Sequence, residues 1–253
     1  MAEIVMENNV REFIERLPDI EPNPLSAHLL LLAVRSRFVK TIFNLKIKDM
    51  VVERKIIRPN NDWREMYFQK VYNLALLQQN GLYTFRDIGE IPKQGRAIFG
   101  TVIPRNAAAA VKTTMSEMIG QVCQENLSVD AKRYMVKFDN KFFGNLHASR
   151  CKGMGHYITI DIDKADLYTE VRDMLTPLKT WMITKTSRGF HIIKDITTSG
   201  AEEFHKGGGI WDQIHTKFGN DVELQRDSQE PVPGTLYARI DAPTEPNYVQ
   251  IIE

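Results

Sequence analysis

The chain has 253 residues, 43% of them hydrophobic and 26% charged, with a formal net charge of +1. This composition suits one large folded domain, or a catalytic domain with a helical addition, and excludes fibrous, collagen-like and disordered chains. The small net charge excludes strong global attraction to nucleic acid, so any such surface must come from local clustering.

In chain order, residues 7–17 (ENNVREFIERL) have the spacing of a short amphipathic helix, and PDIEPNP breaks it. A helical stretch is expected from Ser26 to Asn44 and a second from Asp62 to Gln79, the latter stopped by Asn80-Gly81. From Arg96 the character changes. RAIFGTVI is rich in β-branched and aromatic residues and predicts a strand. Pro104-Arg105-Asn106 predicts a turn, and AAAAVKTTMSEMIGQVCQ predicts a helix with Asn106 as its N-cap. YMVKF and HYITIDID predict strands, Asp166 to Leu175 a helix, and TWMITK with FHIIKD a hairpin turning at Ser187-Arg188-Gly189. Phe204 to Phe218 is expected to be helical or mixed, DVELQ a short strand, and PVPGTLYARID an extended tail. Such mixing predicts an α+β fold, with residues 1–95 a mainly helical cap and 96–253 the sheet-bearing core.

Two cysteines, Cys123 and Cys151, argue against a disulfide framework and for a reducing compartment. The N-terminus lacks the basic–apolar pattern of a signal peptide, and the longest apolar run, Leu29 to Val34, is too short for a bilayer. The expectation is an intracellular protein with no membrane partner.

The acidic strand carries the chemistry. Side chains alternate along a strand, so Ile158, Ile160 and Ile162 face the core while Thr159, Asp161 and Asp163 share the other face. Carboxylates at i and i+2 lie roughly 6–7 Å apart and suit a hard divalent cation. Two such cations can clamp the attacking and leaving oxygens of a phosphoryl transfer. The bland alternative is a solvated acidic face on an edge strand. On the hairpin, His191 and Ile193 share one face and Arg188 sits at the turn. An imidazole and a guanidinium there suit a triphosphate, and the alternative is an ordinary surface histidine.

Together, ITIDID at 158–163 and TSRGFH at 186–191 resemble the archaeo-eukaryotic primase superfamily, including the primase–polymerases of viruses and plasmids. AIFGTVIPRNAAAAV at 97–111 is similar to the strand–NPR–helix segment that opens that catalytic module, and VPGTLYARI at 232–240 to the PGT segment that closes it. The resemblance implies an RRM-like palm sheet and template-dependent nucleotidyl transfer on single-stranded DNA. It further implies NTP or dNTP substrates, Mg²⁺ or Mn²⁺ on three acidic residues, and a histidine on the nucleotide. By residue, it assigns Asp161 and Asp163 to the first acidic motif, and His191 with Arg188 and Gly189 to the second. Asp227 or Asp221 would be the third acid, Asp227 preferred because it follows VELQ and precedes PVPGT. Ile103-Pro104-Arg105 departs from NPR at its first position but keeps Arg105. The chain shows no helicase motif, so unwinding is expected from a separate replication protein.

Other clusters are weaker. Arg35, Arg37 and Lys40, placed on the expected 26–44 helix with Lys46, Lys48, Arg54, Lys55 and Arg58 nearby, suit a template backbone or a solvated helix face. His147, Cys151 and His156, with Cys123, have zinc-like spacing but no CxxC pair. Lys206-Gly207-Gly208-Gly209 lacks the G-K-[ST] ending of a P-loop and is expected to be a loop. Competing functions are a catalytically silent nucleic-acid-binding subunit and a metal-dependent nuclease.

Overall fold

Leucine-rich SAHLLLLAV has no period that separates helix from strand, and its surroundings decide the outcome. A computed structural model describes residues 4–20, 26–81, 83–85, 89–124, 138, 140–146, 148, 157–196, 200–225, 229–239 and 245–253. In it Ser26–Val34 is strand β1, buried along its whole length. The helix expected over Ser26 to Asn44 is therefore corrected to a strand followed by a short helix, α2 (Ser36–Phe43). A continuous apolar run favours a central strand when both faces are covered. That is the case here, because β1 lies between β2 (Met50–Ile57) and β5 (Arg96–Thr101), antiparallel to both.

The first sheet has the order β11-β5-β1-β2, with β6 (Arg105–Asn106) pairing the start of β1 and β11 being Gln229–Pro231. Its alternation sorts two cores. Leu30, Leu32 and Ile98 face α1 (Glu7–Arg16) and α3 (Trp63–Asn80), meeting Val10, Phe13, Tyr67 and Leu74. Leu29, Leu31, Ala97 and Phe99 face the other way, toward α4 (Ala107–Gln124) and α5 (140–146), meeting Ala107, Ala110 and Leu146. Each such buried leucine contributes about 1.5–3 kcal/mol. The Asn106 side chain accepts from the Ala109 N–H at 2.8 Å, the N-cap expected of it. A hairpin of β3 (Thr84–Phe85) and β4 (Gly89–Glu90) follows α3. Behind it, buried Arg96 donates to the Gln78 and Gly81 carbonyls at 3.1 and 2.6 Å, satisfying the end of α3.

Residues 1–95 are thus not a mainly helical cap. They supply the centre and one edge of a sheet that β5 and β11 complete, so a boundary at 95 cuts through hydrogen-bonded strands.

The second sheet has the order β10-β7-β9-β8-β12, all antiparallel, where β7 is Tyr157–Ile162, β8 Lys179–Lys185, β9 Phe190–Asp195, β10 Val222–Gln225 and β12 Gln250–Ile251. Helix α6 (Tyr168–Met174) joins β7 to β8, while α7 (Gly200–His205) and α8 (Ile210–Phe218) join β9 to β10. Two β-α-β units therefore interleave, each leaving room for a strand of the other. Ile158, Ile160, Ile162, Ile183 and Ile192 pack under these helices with Val171, Phe204 and Ile214. On the opposite face Met182 and Ile193 join the core beneath the first sheet, which brings the two sheets together. The chain is a mixed α+β protein. No helix among the described residues is long and apolar enough to cross a membrane. YMVKF lies outside the described residues except for Phe138.

One buried histidine makes this core pH-sensitive. His28 on β1 is fully enclosed, its ring nitrogens 2.9 Å from the Thr101 carbonyl and 3.3 Å from that of Pro18. Burial lowers its pKa from 6.5 to about 4, outweighing those two carbonyls. Between pH 6.5 and 4 the unfolded chain therefore binds a proton the fold excludes. The stabilisation is fully present above pH 6.5 and is lost as pH falls toward 4, on the order of 3 kcal/mol in all. Urea midpoints are expected to fall over that window, and His28→Gln is expected to flatten this component of the profile.

Candidate active site

Strand β7 presents Asp161 on the face away from the isoleucine core, and Asp163 follows just past its end. Its neighbour β9 runs antiparallel with Asp161 directly opposite His191, whose Nε2 lies 3.4 Å from Asp161 Oδ1. The β8–β9 turn is held by the Thr186 N–H donating to the Gly189 carbonyl at 3.0 Å, and by the Ser187 hydroxyl donating to the Ala238 carbonyl at 2.6 Å. Gly189 does not need left-handed backbone here. It is required because its Cα rests against the Ile162 carbonyl, where a side chain has no room. The turn thereby sets Arg188 3.9 Å from Asp163 Oδ1, the same oxygen that Arg37 approaches at 3.6 Å.

These groups open on one cavity of about 480 Å³ between the two sheets. Its lining is partly charged or polar, with Asp161, Asp163, Arg188, His191, Arg35 and Arg37, and partly apolar or aromatic, with Leu31, Ala33, Phe38, Phe99 and Tyr237. Tyr237 meets Phe38 edge-on at 5.0 Å, and Arg35 stands 5.0 Å over the Phe99 ring. Charged groups beside aromatic rings in a cavity this size suit a small polar ligand with a flat apolar part.

The electrostatics follow from burial beside like and unlike charge. Burial raises the Asp161 carboxyl above its ordinary range; His191 opposes this, while Asp163, Glu230 and Glu223 reinforce it. Burial alone would depress His191, yet Glu230, Asp161 and Asp163 overcome it and hold the imidazole at about 9. Burial also lifts the Tyr237 phenol to about 12.

Not every expected site residue is here. Lys40 is exposed on α2 and does not reach the cavity, whereas Arg35 and Arg37 do, because β1 ends at Val34 and α2 turns them over its mouth. Arg105, expected at the nucleotide, is instead fully buried in β6 opposite Ala27 at the start of β1. Arg105 does not line the cavity, whose first lining residue on that strand is Leu31, about 13 Å from Ala27 at 3.3 Å per residue. Asp221 pairs with Lys164 at 2.7 Å and does not line the cavity. Asp227 lies outside the described residues, as do His147, Cys151, His156 and the side chain of Cys123. The glycine loop before α8 is turned on itself, its Gly208 N–H donating to Asp212 at 2.7 Å.

Three groups at the site escaped sequence reasoning. Glu230 on β11 accepts from His191 Nδ1 at 2.6 Å and from the Thr159 hydroxyl at 2.5 Å. Gln225 on β10 lines the cavity and donates to Asp161 Oδ2 at 2.9 Å. Glu223 stands directly across from Asp161 in the β10–β7 ladder, hence on the same face. Its only sequence signal is strand alternation in VELQ, which puts Glu223 and Gln225 on one side. Among the described residues no three His, Cys, Asp or Glu side chains converge closely enough to hold a metal ion. Asp161 and Asp163 are oxygen ligands of the kind a hard divalent cation takes, and both line the cavity. Comparisons with protein-family models, curated proteins and solved structures return no match.

Proposed function

We propose that this chain is a template-dependent nucleotidyltransferase, a primase or primase–polymerase that makes or extends primers on single-stranded DNA. The observation that carries the reading is the convergence of Asp161 and Asp163 with His191 and Arg188 on one cavity. Two further features support it. The order β10-β7-β9-β8 with interleaved β-α-β units is compatible with an RRM-like palm, and Asp161 on β7 with Asp163 just past its end matches the first acidic motif of the primase resemblance.

In this reading the nucleobase and sugar lie along Phe99 and Tyr237, and the triphosphate lies along Arg188, Arg37 and His191. Arg188 and Arg37 pair with phosphate oxygens, and His191 donates through Nε2. Asp161 and Asp163 hold Mg²⁺ or Mn²⁺, which when bound lowers the pKa of a primer 3′-hydroxyl and neutralises triphosphate charge. The 3′-oxygen bonds to the α-phosphorus, pyrophosphate leaves, and the hydroxyl proton passes to solvent. Exposed Lys40 and the arginines at the mouth lie where a template backbone would approach. Duplex unwinding falls to a separate partner, and the setting is the interior of a cell carrying a virus or mobile element.

The test is incorporation of labelled NTPs and dNTPs on single-stranded DNA, with and without a primer, in Mg²⁺ and in Mn²⁺. Metal-dependent products longer than the primer are expected. Loss of label from DNA without added nucleotide would point to a nuclease instead. Gln225 on Asp161 favours one second reading, a catalytically silent nucleic-acid-binding subunit, because it occupies an oxygen a metal would use. That reading predicts no metal-dependent nucleotide binding by calorimetry with Mn²⁺ and dNTP, and no product.

A further inference from the structure

Glu230 is an acid with none of its surface exposed. It sits on β11 in the first sheet, yet both its oxygens bond to the second sheet. Oε1 accepts from the Thr159 hydroxyl at 2.5 Å and Oε2 from His191 Nδ1 at 2.6 Å. It does not line the cavity and stands behind the imidazole. Its neighbours Pro231 and Val232 are buried and apolar. If the position served only to pack one sheet on the other, an apolar residue of similar size would do so without enclosing a charge.

We infer that Glu230 is a positioning residue for His191. By accepting from Nδ1, it fixes the ring so that Nε2 points at Asp161 and the cavity, and Thr159 fixes Glu230 in turn. Without it an imidazole rotates about its side-chain torsions, and the nitrogen facing the ligand is no longer determined. The same logic governs carboxylates that hold the remote nitrogen of a metal-bound histidine, whose removal costs roughly 10–100-fold in affinity or activity. The placement also couple the two sheets to the site, since the orienting acid belongs to one and the oriented base to the other. The inference rests on the reading of His191 as a donor to the triphosphate. The orientation itself can be measured without any nucleotide.

The experiment compares Glu230→Gln, Glu230→Leu and Thr159→Val in the full chain by two readouts. The first is the proton resonance on His191 Nδ1, assigned by its loss in His191→Gln. A short bond to a carboxylate places it far downfield. It is expected to persist at reduced shift in Glu230→Gln, which keeps an acceptor, to move upfield in Thr159→Val, and to vanish in Glu230→Leu. The second is the KM for nucleotide, expected to rise roughly 10–100-fold in Glu230→Leu and to be largely rescued by Gln. A downfield proton unchanged in Glu230→Leu, or a folded Glu230→Leu with the wild-type KM, overturns the inference. Should the leucine variant fail to fold, an unmoved resonance in Thr159→Val together with loss of the signal in Glu230→Gln overturns it equally. A wild-type chain that neither binds nor incorporates nucleotides defeats the functional reading alone, and the resonance still decides the positioning.

Discussion

Alanine at both Asp161 and Asp163 is expected to cut metal-dependent nucleotide incorporation by at least about 10³-fold while leaving the fold intact. The size follows from several kcal/mol of transition-state charge stabilisation by a bound divalent ion, at tenfold per 1.36 kcal/mol. The intact fold follows from the surroundings. Asp163 is 36% exposed, and its partners Arg37 and Arg188 are 51% and 33% exposed at 3.6 and 3.9 Å. Ion pairs of that kind contribute about 0–1 kcal/mol. Asp161 is held above its ordinary carboxyl range by burial, so its charge costs the fold more than a neutral residue would. Circular dichroism and the urea midpoint check the fold, and single-nucleotide incorporation in Mn²⁺ checks the chemistry. Wild-type incorporation by the folded double variant would remove the acids from the mechanism. Incorporation lost only in step with the urea midpoint would make them structural.

Those two acids were legible because the strand carrying them separates its faces so sharply. Three isoleucines alternate with Thr159, Asp161 and Asp163, and only one pairing register buries the isoleucines and frees the acids. The hairpin was legible for the same reason, with a turn sequence between two alternating strands. By contrast, β1 reads as apolar on every side, and its leucines are good helix formers. Its strand state is imposed by β2 and β5, whose pairing is not written in the segment itself. Misplacing β1 also hid how Arg35 and Arg37 reach the cavity, which they do because the strand ends at Val34, just ahead of both. Glu230 was the least accessible of all. Its partners Thr159 and His191 lie 71 and 39 residues earlier in the chain and on a different sheet. Local pattern marks a residue's face but not which sheet that face will meet. A search for an apolar residue followed by Asp also passes over a glutamate preceding Pro231.

Gly189→Ala is expected to lower incorporation by about 10²-fold or more, although Gly189 has no side chain to bind or titrate. A β-carbon there would strike the Ile162 carbonyl oxygen, and would also stand 2.9 Å from the Ile162 carbonyl carbon and 3.3 Å from that of Asp163. All three are backbone atoms at the end of β7, so no flexible side chain can give way. The turn must lift from the strand instead, breaking the Ile162–Phe190 rung and carrying Arg188 and His191 away from the acids. A displacement of about 1 Å in a catalytic arrangement costs on the order of 10²-fold. The steric strain costs about 1–3 kcal/mol of stability. Gly207→Ala is the matched control, because a β-carbon in that loop meets nothing within 4 Å. Thermal unfolding and incorporation are measured on both. Gly207→Ala should match the wild type in each, and Gly189→Ala should lose far more rate than its modest loss of stability explains. Equal rates in the two variants would mean that the hairpin is free to move without disturbing the site. The convergence of Arg188 and His191 on Asp161 and Asp163 would then not be what the chemistry requires.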